Sequence, residues 1–151
     1  MKKNKQAYSL VELILVVLFV GIFAALAVPR INFAIIRKQK ADTLSRRIVT
    51  DLRRTRTMAI SDAANNSSGF KMKMTGPDPF TGYEIQNIDT STTLDTLSID
   101  SDVTVTNGSD FEFGPLGNLA GGDTQIDVSA EGRSFTITIT AATGMVTCVE
   151  N

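Results

Sequence analysis

Three hydrophobic rhythms follow one another along the chain. From Leu13 to Val28 no charged or polar side chain occurs, and the stretch extended back to Tyr8 spans 21 residues. At about 1.5 Å rise per residue that is roughly 31 Å of helix, the thickness of one bilayer core. Next, Ala41, Leu44, Ile48, Leu52, Thr55, Ala59 and Ala63 recur at spacings of three and four, the stripe of an amphipathic helix with a period near 3.6. Beyond the breaker cluster Asn65-Asn66-Ser67-Ser68-Gly69 the period drops to two. Phe70, Met72 and Met74, then Tyr83 and Ile85, Val103 and Val105, Ile126 and Val128, and Phe135, Ile137 and Ile139 each alternate with polar neighbours. That pattern predicts half-buried strands, separated by turns at Gly76-Pro77-Asp78-Pro79, Asn107-Gly108, Gly121-Gly122-Asp123 and Thr143-Gly144.

The expected fold class is therefore α+β. A long N-terminal helix, its first half suited to a membrane and its second half amphipathic, packs on a C-terminal antiparallel β-sheet head. The divisions fall at 1–7, 8–29, 30–64 and 65–151, and the helix is expected to run as one piece with a kink at Pro29, whose ring crowds the preceding turn.

Charge sharpens this division. Lys2, Lys3 and Lys5 precede the apolar run with no acid among them; residues 30–58 carry nine Lys/Arg against Asp42 and Asp51; residues 59–151 carry Lys71, Lys73 and Arg133 against thirteen acids. The net charge of −1 conceals this polarity, which points to an ordered orientation at a membrane or in an assembly. The positive leader places the N-terminus in the cytoplasm and the head on the far side.

Composition also removes function classes. Histidine is absent and Cys148 is the single cysteine, so Ser–His and Cys–His dyads, imidazole-ligated metals and an intrachain disulfide are excluded. With no Gly-rich phosphate loop either, the chain reads as a non-enzyme with no cofactor, no metal and no small-molecule substrate. Cys148 alternates with Val146 and is expected to be a buried, inert thiol. Asp100, Asp102, Asp110 and Asp123 do not have the spacing of an EF-hand loop and read as solvated turn acids. Arg46, Arg47, Arg53, Arg54 and Arg56 lack interleaved aromatic residues and read as a solvated helix face that meets acidic surface on neighbouring subunits; nucleic acid is not an expected partner.

Ala25-Leu26-Ala27 offers an ordinary signal-peptidase site, but a carboxylate, Glu12, sits at the start of the apolar run, where a charge is costly and points to function. The Lys-rich leader, Ala7, then Tyr8-Ser9-Leu10-Val11-Glu12-Leu13-Ile14, the apolar stretch and Pro29 resemble the N-terminal signal of type IV pilins and type II secretion pseudopilins. The family usually has Gly before the cut and Phe after it, where this chain has Ala7 and Tyr8. Phe111-Glu112-Phe113-Gly114-Pro115-Leu116-Gly117 and Arg133 to Val146 resemble the head of the GspH/FimT-type minor pseudopilins.

The resemblance implies cleavage between Ala7 and Tyr8 by a prepilin peptidase, N-methylation of Tyr8, and retention of the apolar segment as a single-pass inner-membrane helix with a periplasmic head. It implies a structural subunit of a type II secretion pseudopilus, with other pilin-like subunits as partners; the alternative is a minor pilin of a type IV pilus, in pilus assembly or DNA uptake. Glu12 would then pair with the terminal amine of a neighbouring subunit and set the register of assembly, or else reach the interface as a lone charge.

Overall fold

A computed structural model of the chain describes residues 9–27 and 33–151. The chain divides into two compact units, Met1–Phe33 and Ala34–Asn151.

The first unit contains helix α1, Leu10–Ala27. Ser9 caps it: its hydroxyl accepts the Val11 N–H at 3.3 Å, and its carbonyl accepts the Leu13 N–H at 3.2 Å, which satisfies donors that a helix start otherwise leaves open. The large apolar side chains of α1 point outward all round, from Leu10 at 74% exposure to Ile22 at 48%. Among the described residues no helix is long and apolar enough to cross a membrane. The 18 residues of α1 rise about 27 Å, short of the roughly 30 Å of a hydrocarbon core. Of the span expected to be a membrane helix, Tyr8, Val28 and Pro29 lie outside the described residues, as does Ala7.

In the second unit, helix α2 runs Phe33–Ser61 and buries Ala41, Ser45, Ile48, Val49, Leu52, Thr55 and Ala59. The predicted stripe is present, widened by Ser45 and Val49, while Leu44 is half-buried and Ala63 is exposed. Ala63 falls off the stripe because α2 stops at Ser61, three residues earlier than expected, and gives way to a turn, Asp62 to Asn65. Hydroxyls on the buried face are satisfied by the helix itself: Ser45 donates to the Asp42 carbonyl at 2.9 Å and Thr55 to the Asp51 carbonyl at 2.7 Å, so neither carries an unpaired polar group into the core. The exit from the helix is fixed by Asn66, which is buried and both donates to the Gly69 carbonyl and accepts the Gly69 N–H, each at 2.8 Å.

Nine strands follow: β1 (Phe70–Thr75), β2 (Gly82–Asn87), β3 (Thr93–Ser98), β4 (Thr104–Thr106), β5 (Asp110–Phe113), β6 (Leu119–Gly122), β7 (Gln125–Ala130), β8 (Arg133–Thr140) and β9 (Met145–Glu150). The head holds two antiparallel sheets rather than one, ordered β3-β2-β1-β5-β6 and β4-β7-β8-β9. Asn107-Gly108, both at positive φ, therefore turn the chain from one sheet to the other instead of closing a hairpin. Gly121-Gly122 are not a turn but the end of edge strand β6, opposite Glu112 and Phe111. Phe70, Met72, Met74, Ile85, Phe111, Phe113, Val105, Ile126, Val128, Phe135, Ile137 and Ile139 form one core with Ile48 and Leu52 of α2. The alternation read from sequence thus places every predicted inward residue from Phe70 to Ile139 inward, with α2 as the element shared by both sheets.

Candidate functional site

The expected site residues are Ala7, Tyr8, Glu12 and Pro29. Ala7, Tyr8 and Pro29 lie outside the described residues. Glu12 is exposed in the first turn of α1, the only charged side chain of that helix. With Ser9 as the cap, Glu12 occupies the third helical position, so Ser9-Leu10-Val11-Glu12 has the S-x-x-E spacing of a capping box. An acid here also faces the positive end of the helix dipole. Glu12 thus has a local reason to stand at this position besides any partner across a subunit boundary. The sequence carried that signal in Ser9, three residues ahead of Glu12.

The basic side chains of α2 turn toward the chain's own head. Arg37 bridges Glu131 in the β7–β8 turn and approaches Asp102 at 3.7 Å; Lys40 reaches Asp102 at 2.6 Å and Asp100 at 2.8 Å, both in the β3–β4 loop. Hydrogen bonds donated to the Asp100 and Asp102 carboxylates hold the Lys40 ammonium above its ordinary pKa, and Lys40 in turn holds Asp100 low. Farther along α2, Arg54 meets Asp95 of β3 at 2.8 Å, and the hydrogen bond from its guanidinium holds Asp95 below the usual carboxylate range. Arg53 donates to the Val146 carbonyl at 3.0 Å, and Arg56 to the Gly117 carbonyl at 2.9 Å. Val146 belongs to edge strand β9, so Arg53 covers part of an open sheet edge. Asp42 and Arg46 form an i,i+4 pair at 3.1 Å, the spacing at which side chains on one helix face meet. Arg37, Lys40, Arg53, Arg54 and Arg56 thus have acceptors in the head, while the well-exposed Arg46 and Arg47 pair only with Asp42 and Asp51 of α2 itself.

One buried polar contact crosses from helix to sheet. Tyr83 of β2, 2% exposed, donates its hydroxyl to the Asp51 carboxylate at 2.6 Å. Burial first, and the Asp51 carboxylate second, push the phenol far above its ordinary pKa. The contact fixes the rotation of α2 over the first sheet, because one phenol tip has to meet one carboxylate.

Three of the four acids read as turn acids are occupied: Asp100 and Asp102 hold Lys40, and Asp123 accepts the Ser109 N–H at 2.6 Å. Asp110 differs from its expectation: it begins strand β5, half-buried, and its Oδ1 is buried without a hydrogen-bond partner. Among the described residues no group of three or more His, Cys, Asp or Glu is arranged to hold a metal ion. Cys148 corrects its expectation: it is exposed, not buried. It does face the same side as Val146, opposite Ile137, but β9 is the outer strand of its sheet. Cys148 opens instead into a shallow groove of about 250 Å³ with Asp42, Ser45, Arg46, Phe135 and Glu150, and this partial cover pushes its thiol upward.

The Phe113-to-Gly117 segment, singled out from sequence, makes a tight turn between β5 and β6. The Gly117 N–H bonds the Gly114 carbonyl at 2.8 Å, and the Gly114 N–H the Asn118 carbonyl at 3.0 Å. Leu116 at its tip is 90% exposed. Compared with known proteins, the chain matches no family model, no curated protein and no solved structure.

Proposed function

We propose that this chain is a non-enzymatic structural subunit of a membrane-rooted filament, of the kind formed by minor pseudopilins in type II secretion. The observation that carries the reading is α1: a capped helix whose large side chains are apolar and outward-facing all round. A helix apolar on every side needs an apolar surrounding, and lipid or a bundle of like helices supplies one. Sequence supplies the rest of the support. The apolar run continues to Tyr8 and Val28 on either side of α1, which restores the length that a bilayer needs, and the Lys-rich leader orients it with the head in the periplasm. The head offers a self-satisfied α+β body in which α2 cations are taken up by the chain's own acids, which weakens the reading in which that face grips phosphate backbones.

In this reading a prepilin peptidase cuts between Ala7 and Tyr8, Tyr8 is N-methylated, and Glu12 pairs across the subunit boundary. The test is intact-mass and N-terminal sequencing of the protein from cells that contain such a peptidase. The expected product begins at Tyr8 and carries a methylated amine. A product beginning at Val28 marks an ordinary secreted protein and ends the proposal. A companion measurement crosslinks the chain to partner subunits before and after Glu12→Ala; unchanged crosslinking confines Glu12 to its capping role.

A further inference from the structure

The first turns of α2 differ from the rest of that helix. Burial begins at Ala41, fully inaccessible; from Phe33 to Lys40 no side chain is buried. No acidic residue stands in the first turn of α2, so nothing there offsets the dipole, and Arg37, Lys38 and Lys40 follow within two turns. This stretch is tied to the head by Arg37 with Glu131 and Asp102, and by Lys40 with Asp100 and Asp102. Every one of these charged groups is between 36% and 49% exposed, the range in which salt screens pairs effectively. Beneath the same stretch runs an open, mainly apolar groove of about 350 Å³, lined among others by Ile36, Leu44, Leu97 and Val103. Lys40 and Asp100 form part of its rim.

We infer that residues 34–40 are an electrostatically latched strap, hinged at Ala41, which opens when Asp100, Asp102 and Glu131 are screened or engaged elsewhere and so bares the groove at Leu44, Leu97 and Val103. The hinge lies at Ala41 because core packing starts there and continues through Ile48 and Leu52, which ion screening leaves untouched. Asp102 is the key residue of the latch, since it alone serves both cations. A partner that offers carboxylates to Arg37 and Lys40 would open the strap as salt does, by exchange of one set of ion pairs for another. This inference goes beyond the filament reading and stands on the head's own contacts.

Amide hydrogen exchange on the full chain in neutral detergent tests it. Between 0.05 and 1 M NaCl, amides of residues 37–40 are expected to exchange several-fold faster, while those of Ile48–Ala59 keep their rates. Asp102→Asn is expected to reproduce the fast exchange at low salt, and Glu131→Gln a smaller part of it. The amides of β7 and β8 report in every sample that the head is folded. Exchange at 37–40 that ignores both salt and Asp102→Asn overturns the latch. So does equal acceleration along the whole of α2, which would mean that the head loosens as one body.

Discussion

Helices α1 and α2 are made of the same backbone and solve opposite problems. Each large apolar side chain of α1 from Leu10 to Leu26 is about half exposed or more, whereas α2 buries seven residues on one face and spends its cations on the head. An amphipathic helix gains its stability from tertiary packing of one face, and α2 has that packing within its own chain. The difference is one of cover: the large side chains of α1 are exposed, whereas α2 has core packing along one face and ion pairs with the head.

The largest way to break this comparison is to place charge on α1. Val17→Arg together with Phe19→Arg adds about 5 kcal/mol or more to the cost of lipid insertion, so the protein is expected to leave the carbonate-resistant membrane fraction. Its thermal unfolding midpoint should not move, because neither side chain belongs to the core. A doubly substituted chain that stays in the membrane pellet would show that α1 is not what holds it there.

The converse change is Leu52→Ala. Leu52 is fully buried between α2 and the strands, so its truncation is expected to destabilise the head by about 2–5 kcal/mol, seen as a lower denaturation midpoint, with membrane retention unchanged. A third variant tests the stapled turns at the far end of α2. Gly144 has φ +63°, and a Cβ there would lie 2.0 Å from the Gly117 carbonyl oxygen, the acceptor that also holds Arg56. Gly144→Ala is expected to cost about 1–3 kcal/mol from backbone conformation alone, and more through the clash. Gly132→Ala, at φ +75° with nothing within 4 Å, isolates the conformational part. Equal losses at the two glycines would mean that the Gly117 contact contributes nothing.

Much of this architecture is legible in the sequence, and the misses share a cause. Period-two alternation identified β1, β2, β4, β7 and β8, because residues such as Phe135, Ile137 and Ile139 can only point one way together, whereas β5, which buries Phe111 and Phe113, is too short to stand out from the glycine-rich segment that follows it. Strand β3, Thr93–Ser98, is nearly all exposed and has no apolar face to betray it; it exists through pairing with β2. Gly121-Gly122 read as a turn because glycine lacks a side chain to alternate. The constraint lies at Gly122, whose φ is +85° and where a Cβ would meet the Asp110 carbonyl oxygen at 2.1 Å. Ser45 escaped the stripe because its polarity hides a hydroxyl already satisfied by Asp42. The expected site was legible as a motif and rests mainly on residues 7, 8, 12 and 29, while the Arg37–Lys40 latch was not legible. Its acids come from loops at least 60 residues away along the chain.

The smallest expected effect concerns the phenol that sets α2 on the first sheet. Tyr83→Phe removes the 2.6 Å hydrogen bond to Asp51 and is expected to cost about 1–2 kcal/mol near pH 7, from the upper range of ordinary hydrogen bonds to the lower range of those to charged groups. The pH dependence separates this bond from mere packing. In the folded state burial and Asp51 hold the phenol protonated well above its ordinary value, whereas the unfolded phenol ionises near pH 10. Above that pH the unfolded state therefore binds fewer protons than the folded one, so the wild-type head loses stability as pH rises. Below it the contribution is fully present and flat. Tyr83→Phe has no such group, and its alkaline decline should be shallower, so that the two stability curves converge above pH 10. Denaturant titrations at pH 7, 9, 10 and 10.5 measure the gap. A gap that stays constant through pH 10.5 would show that the Tyr83 hydroxyl is solvated as in water, and that α2 is seated on the sheet by its apolar stripe alone.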